Sequence, residues 1–247
     1  MRTIHLTREQ IFSGPLVLVN REHPLRNPTL GQLTEVDSQH PCILLEHRTT
    51  QLLAACIQKV RGWEQIVPVS GWRSQEEQQK IWDDTMAEHG EQFTRQYVAV
   101  PGCSEHQTGL AIDLGKAAGH IDFIRPAFPY DGICGAFRRL APQYGFIERY
   151  QQGKEMLTGI SPEPWHFRYV GAPHAQLMTE HGLCLEEYRD FLRQKARSVL
   201  LENGCLAQVF YVPADGEITD VEVPEGCCQM SGDNVDGFIV TVWGACA

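Results

Sequence analysis

In the stretch SEHQTGLAIDL, Ser104–Leu114, a histidine and an aspartate stand seven residues apart, His106 and Asp113. Further along, EPWHFRYVG brings a second histidine, His166, three residues after Glu163. Imidazole nitrogen and carboxylate oxygen are good ligands for Zn²⁺, and a catalytic zinc site takes three protein ligands and leaves a fourth position open. His106, Asp113 and His166 make such a set, for one zinc ion per chain. Glu163 can then act as general base toward water, and the implied reaction is hydrolysis. Arg73, in the stretch SGWRS, is placed to hold the oxyanion of a tetrahedral intermediate. Each residue also has a plainer reading. A buried histidine is commonly a hydrogen-bonded core residue, Asp113 could cap a turn, and Glu163 could neutralise Arg168. Arg73 could be a solvated arginine, although the dipole of the helix that starts after it disfavours a cation there. The HxxxxxxD spacing by itself leaves both readings open.

The elements that must position these side chains follow from periodicity. Leu110, Ile112 and Leu114 alternate with Ala111 and Asp113, which predicts a strand that buries one face and presents Asp113 on the other. Gly109 permits the tight turn that brings His106 back toward it. In WHFRYV the same alternation separates Trp165, Phe167 and Tyr169 from His166, Arg168 and Val170. Pro162 and Pro164 cannot donate to a central ladder, so Glu163 lies on the approach to this strand and not within it. IVPVSGWRS reads as a strand ending in a turn, and Ser74 with Glu77 is a capping-box signal for a helix through about Glu88, closed by Gly90. Leu45, Leu52, Leu53, Cys56, Ile57 and Val60 predict a core-facing helix stopped at Gly62. HAQLMTEHG and CLEEYRDFLRQK read as two further helices.

After Gly204 the texture becomes β-rich, in LAQVFYVPA, EITDVEVPE and FIVTVW with a turn at SGDNVDG. The expected fold is therefore α+β: a small central antiparallel sheet carrying the site, flanked by helices, with a C-terminal β-rich appendage. The division expected is a catalytic domain at 1–200 and a β-rich unit at 201–247 that leans on it.

The formal net charge is −10 in 247 residues and no Lys/Arg cluster occurs, which argues against nucleic acid or an anionic membrane surface as partner. A small substrate fits better. The first residues, MRTIHLTREQIF, lack the apolar core of a signal peptide, and no later segment has 18 uninterrupted apolar residues, so a cytoplasmic protein is expected. Nine cysteines, an odd count with no CxxC pair, point to reduced thiols used as small core hydrophobes.

The full strings carry more than the spacing. Ser104, His106, Gly109, Ala111 and Asp113 in SxHxxGxAxD, with Glu163, Trp165 and His166 in the second string and SGWRS as a third, resemble the motifs of the zinc D,D-peptidases of the VanX and VanY kind. The similarity covers about residues 12 to 200. The resemblance implies that His106, Asp113 and His166 hold the zinc, Glu163 is the catalytic base and Arg73 stabilises the transition state. It further implies that Ser104, Trp165 and Gln78 contact substrate. Members of this family cleave before a terminal D-alanine, in free D-Ala-D-Ala or in the pentapeptide of peptidoglycan precursors. VanY-like motifs with a cytoplasmic address resemble the bifunctional VanXY-type enzymes of vancomycin resistance. Two alternatives stay open: an endopeptidase that cuts inside the stem peptide, and a non-catalytic zinc module that binds cell-wall peptides. The stretch GKAAGHIDFIRPAFPYDG is a candidate cover for the pocket, or an ordinary surface loop.

Overall fold

The structure, a computed structural model, describes residues 1–26, 31–202 and 204–244. From the amino terminus the elements are β1 (Arg2–Thr7), β2 (Leu33–Glu35), β3 (Leu44–Glu46), α1 (His47–Lys59), β4 (Ile66–Ser70) and α2 (Gln75–Tyr97). A 3-10 turn at Glu105–Thr108 leads into β5 (Ala111–Lys116), followed by α3 (Gly132–Leu140), β6 (Phe146–Glu148), α4 (Glu155–Thr158) and β7 (His166–Tyr169). The chain ends in α5 (Ala172–His181), α6 (Leu185–Gln194), β8 (Arg197–Leu200), β9 (Leu206–Pro213), β10 (Ile218–Val223), β11 (Cys228–Gly232) and β12 (Gly237–Trp243).

The central sheet has four antiparallel strands in the order β4-β5-β7-β6. Leu110, Ile112 and Leu114 face a core shared with Phe146, Phe167 and Tyr169 from the sheet, Leu53, Cys56 and Ile57 from α1, and Phe137 from α3. Phe128, Phe137 and Phe167 meet edge to face, with ring centres 5.1–5.9 Å apart, the arrangement that aromatic quadrupoles favour. Each such fully buried side chain contributes roughly 1.5–3 kcal/mol. This core fixes the register. Asp113 pairs with His166 on one side and with Ser70 on the other, so three polar residues form one row across three strands.

The capping box that opens α2 is present: the Ser74 hydroxyl accepts from the Glu77 amide at 3.1 Å, and the Glu77 carboxylate accepts from the Ser74 amide at 2.7 Å. Gly90 breaks the helix there (φ +81°), but the chain resumes helical geometry and runs on to Tyr97. Two expectations need correction. Leu45 lies in β3 and not in a helix, because the Glu46 carboxylate accepts from the amides of Arg48 and Thr49 and so starts α1 at His47. Nor are the thiols all reduced, since Cys205 is disulfide-bonded. Cys56, Cys134 and Cys184 are free and buried.

The C-terminal strands form a second antiparallel sheet, β11-β12-β9-β8, and β10 pairs along its whole length with β1. Helices α5 and α6 sit between the sheets, packing Leu177, Met178, Tyr188 and Leu192 against Ala207, Val209 and Ile239. Among the described residues no helix is long and apolar enough to cross a membrane.

Candidate active site

The row Ser70, Asp113, His166 opens into a cleft closed by the turn that carries His106. One ligand atom each from His106, Asp113 and His166 lies within 4.8 Å of the others, and all three residues are buried. Backbone geometry explains the approach. Gly109 takes φ +70° at the end of the 3-10 turn, a conformation open to glycine, and folds His106 back over the start of β5.

The hydrogen bonds test whether a cation belongs there. His106 Nδ1 donates to the Gly71 carbonyl at 2.7 Å, which leaves Nε2 as a lone pair facing Asp113 Oδ2 at 3.1 Å. Burial and the neighbouring Arg73 push the His106 pKa down to about 4, so this ring stays neutral. A lone pair and a carboxylate oxygen in contact need a cation between them. His166 presents Nδ1 to Asp113 Oδ1 at 2.9 Å, while its Nε2 lies 3.7 Å from Glu105 Oε2. Both of those outer atoms are buried without a hydrogen-bond partner. Histidine nitrogens that bind metal commonly place the other ring N–H against a carboxylate or a carbonyl, as Glu105 and Gly71 are placed here. The donor set fits zinc.

Charge around the set is dense. Burial alone would raise the Asp113 carboxyl, but the two histidines hold it well below the usual carboxylate range. Burial opposes the His166 cation, yet Asp113, Glu105 and Glu163 push its pKa up to about 9. Glu163, 5% exposed, has its Oε2 3.6 Å from His166 Nδ1. Burial pushes its pKa up to about 8; Asp113 and Glu105 add to the rise, and His166 and Arg73 oppose it. Such a group can take and return a proton near neutral pH.

Arg73 stands between the end of β4 and the start of α2, as the sequence predicts. Its Nε donates to Ser70 Oγ at 2.9 Å, Nη1 to Gln78 Oε1 at 3.3 Å and Nη2 to Asp113 Oδ2 at 3.1 Å. Ser104 and Trp165 line the cleft. Ser104 is 2% exposed, and its hydroxyl makes no hydrogen bond among the described residues. Gln78 does not line the cleft: it is buried behind Arg73 and donates to the Ala99 carbonyl at 2.8 Å. Phe123 and Ile124, from the loop singled out as a cover, do line it, and the Phe123 ring lies 5.6 Å from the Arg73 guanidinium carbon.

Several residues escaped the sequence analysis. Glu105 Oε1 receives Arg149 Nε at 2.8 Å and lies 2.8 Å from Arg168 Nη1, with all three side chains fully buried. Arg168 thus pairs with Glu105 and not with Glu163, which removes one plainer reading of Glu163. Arg149 also binds Glu186 of α6 at 2.6 and 2.9 Å. The Tyr150 ring packs against that of His166, with centres 4.9 Å apart and planes tilted by 47°. Arg149 and Arg168 carried a sequence signal, since Arg149 adjoins Tyr150 and Arg168 lies between Phe167 and Tyr169, whereas Glu105 sits between the polar Ser104 and His106 and carried none.

Comparison with known proteins agrees with this geometry. Residues 44–172 match the family model VanY, D-alanyl-D-alanine carboxypeptidase. The bifunctional D-Ala-D-Ala dipeptidase and carboxypeptidase VanXYC of Enterococcus gallinarum is 38% identical over 193 residues, which cover 74% of this chain and 97% of that protein. The crystal structure of the vancomycin resistance D,D-dipeptidase VanXYg, in complex with a D-Ala-D-Ala phosphinate analogue, superposes with a TM-score of 0.95 at 48% identity over 98% of this chain and 99% of that one. The vancomycin resistance D,D-pentapeptidase VanY, as its E175A mutant with Zn(II), gives a TM-score of 0.59 at 33% identity over 70% and 98% of the two chains. On these matches and on the ligand geometry together, the chain belongs to the VanY family of D-alanyl-D-alanine carboxypeptidases.

Proposed function

We propose that this protein is a zinc-dependent D,D-peptidase that hydrolyses the dipeptide D-Ala-D-Ala and removes the terminal D-alanine of the peptidoglycan precursor pentapeptide. Its setting is vancomycin resistance, and its place of action is the cytoplasm, a placement that rests on the VanXY-type resemblance. His106 through Nε2, Asp113 through its carboxylate and His166 through Nδ1 would hold the metal. When bound, zinc supplies Lewis acidity, drawing electron density from the scissile carbonyl and from water.

The rest is the work of the chain's own groups. Glu163 takes the proton of the attacking water and returns it to the leaving amine; its high pKa, produced first by burial, suits both halves of that transfer. Arg73 directs a guanidinium toward the carbonyl oxygen as negative charge grows on it, and Gln78 braces that guanidinium from behind. The unpartnered Ser104 hydroxyl is free to donate to the substrate, and Trp165 and Phe123 wall the cleft and exclude water.

One observation carries the reading: a nearly buried carboxylate, Glu163, stands beside a His/Asp/His ligand set without belonging to it. A binding module needs no proton acceptor there. In the test, purified wild type and Glu163→Ala both retain about one zinc per chain, while release of D-alanine from D-Ala-D-Ala drops by roughly 10²–10⁴-fold in the variant. Normal hydrolysis by the variant would remove Glu163 from the mechanism.

A further inference from the structure

Glu186 lies in the first turn of α6, a helix that lends no side chain to the lining of the cleft among the described residues. Its carboxylate nevertheless closes a buried set of charges that begins beside the metal ligands. Glu186 Oε1 accepts from Arg149 Nη2 at 2.6 Å and from Asn20 Nδ2 at 3.2 Å, and Oε2 accepts from Arg149 Nη1 at 2.9 Å. The remaining arm of Arg149, Nε, donates to Glu105 Oε1 at 2.8 Å, the oxygen that also faces Arg168. Arg168 is anchored on its far side, where Nη2 donates to the Pro15 and Val17 carbonyls at 3.0 Å each.

Two guanidiniums and two carboxylates make a set without net charge. The side chains of Glu105, Arg149 and Arg168 are fully buried and that of Glu186 is 13% exposed. Removing one partner from such a set leaves another ion buried and uncompensated, so the survivors must rearrange. The pairing leaves one atom over. Among the described residues, Glu105 Oε2 is the buried carboxylate oxygen without a hydrogen-bond partner, and it lies 3.7 Å from His166 Nε2. Arg149 is a close neighbour of both, since its backbone amide donates to the His166 carbonyl at 3.1 Å. Without Glu186, the terminal nitrogens of Arg149 would be drawn to that oxygen, on a group its Nε already holds. His166 would then lose the acceptor that fixes its tautomer.

We propose that Glu186 is a positioning residue for the metal site. It keeps the terminal nitrogens of Arg149 occupied, and so reserves Glu105 Oε2 as the acceptor that holds the His166 proton on Nε2 and leaves Nδ1 for zinc. A bidentate arginine–carboxylate pair suits this task because both arms of the fork are committed at once. The same helix packs Tyr188 and Leu192 on Ala207, Val209 and Ile239, so the C-terminal sheet takes part in setting a metal ligand it never touches. The inference rests on the zinc reading of the site given above.

The experiment uses the full chain and three measurements: zinc affinity by competition with a chromogenic chelator, the His166 Nε2 proton of the zinc-loaded protein by NMR, and zinc-free stability by urea. Glu186→Gln keeps the shape of the side chain and removes its charge. Zinc affinity is expected to fall about tenfold, the lower end for a group behind a metal ligand, and the Nε2 proton to be lost to exchange. The decisive variant removes both members of the outer pair. In Arg149→Met, Glu186→Gln no second guanidinium competes and Glu105 keeps Arg168, so zinc affinity and the Nε2 signal are expected to return toward wild type. Damage that merely accumulates in the fold would make the double variant worse than the single one. Should Glu186→Gln fail to fold in urea-free buffer, Glu186→Asp, which draws the carboxylate back from Arg149, is expected to show the same losses to a smaller degree. A folded Glu186 variant with wild-type zinc affinity and an unchanged His166 signal, or a double variant that binds zinc more weakly than Glu186→Gln, overturns the proposal. A wild type that takes up no zinc would instead sink the zinc peptidase reading on which it stands.

Discussion

Glu105 shows how one side chain can decide which nitrogen of another binds metal. Its Oε1 is committed to Arg149 and Arg168, and its Oε2 faces His166 Nε2. An acceptor there keeps the proton on Nε2 and leaves Nδ1 free as a ligand. In Glu105→Gln the two arginines claim the only oxygen, so the amide NH₂ turns to His166 and draws its proton onto Nδ1, the wrong atom. Zinc affinity is expected to fall by about 10–100-fold, measured by competition with a chromogenic chelator. The Nε2 proton of His166, visible and slow to exchange in the zinc-loaded wild type by NMR, should be lost. An unchanged affinity would show that His166 is oriented without Glu105. Sequence reasoning singled out His106, Asp113, His166 and Glu163, residue types that suit metal ligands and a base, and the fold brings all four together. That reasoning missed Glu105, whose role exists only once two arginines from distant segments arrive beside it. For Arg73, replacement by Ala is expected to lower kcat by roughly 10²–10³-fold while the metal content holds, read by steady-state kinetics beside metal analysis.

At the scale of elements, the turn between the 3-10 segment and β5 sets the distance from His106 to Asp113. A Cβ at Gly109 would meet the Glu46 amide nitrogen at 3.2 Å and Leu33 Cδ2 at 3.1 Å, on a backbone with φ +70°. Gly109→Ala is therefore expected to lose roughly 1–3 kcal/mol of stability and to weaken zinc binding at the same time. Urea unfolding with and without zinc separates the two effects, because the stabilisation that zinc adds shrinks only if the ligands have moved. The same glycine was legible from sequence, as were β4, β5, α2's start, α5 and α6, all of which announce themselves by local periodicity or caps. Elements defined by remote partners were not. Strand β1 pairs Arg2 with Val223 and Thr7 with Ile218, and no local pattern in RTIHLT encodes that pairing. Leu45 fitted the helical spacing of its neighbours, but the Glu46 cap and the pairing of β3 with β2 overrode it.

Across the whole molecule, the seam between the site-bearing sheet and the C-terminal strands rests on α5 and α6, and one histidine sits inside it. His174, 3% exposed, bridges the Tyr188 hydroxyl of α6 at 2.9 Å and the Thr241 hydroxyl of β12 at 3.0 Å. A neutral ring satisfies both, because each hydroxyl can either donate or accept. Burial pushes the His174 pKa down to about 3, against about 6.5 in an unfolded chain. Below pH 6.5 the unfolded chain takes up a proton that the folded one refuses. The stability tied to this residue is thus complete above about pH 6.5 and declines toward pH 3, at about 1.4 kcal/mol per pH unit. His174→Gln keeps one donor and one acceptor but cannot titrate. The variant should be less stable than wild type at pH 7, and the gap should narrow by about 2 kcal/mol between pH 7 and pH 5, as measured by urea midpoints. Comparing the two proteins at each pH cancels the site histidines, which titrate in both. A gap that stays constant across that range would mean that His174 takes up its proton inside the folded seam, and that acid loosens the two parts of the molecule through other groups.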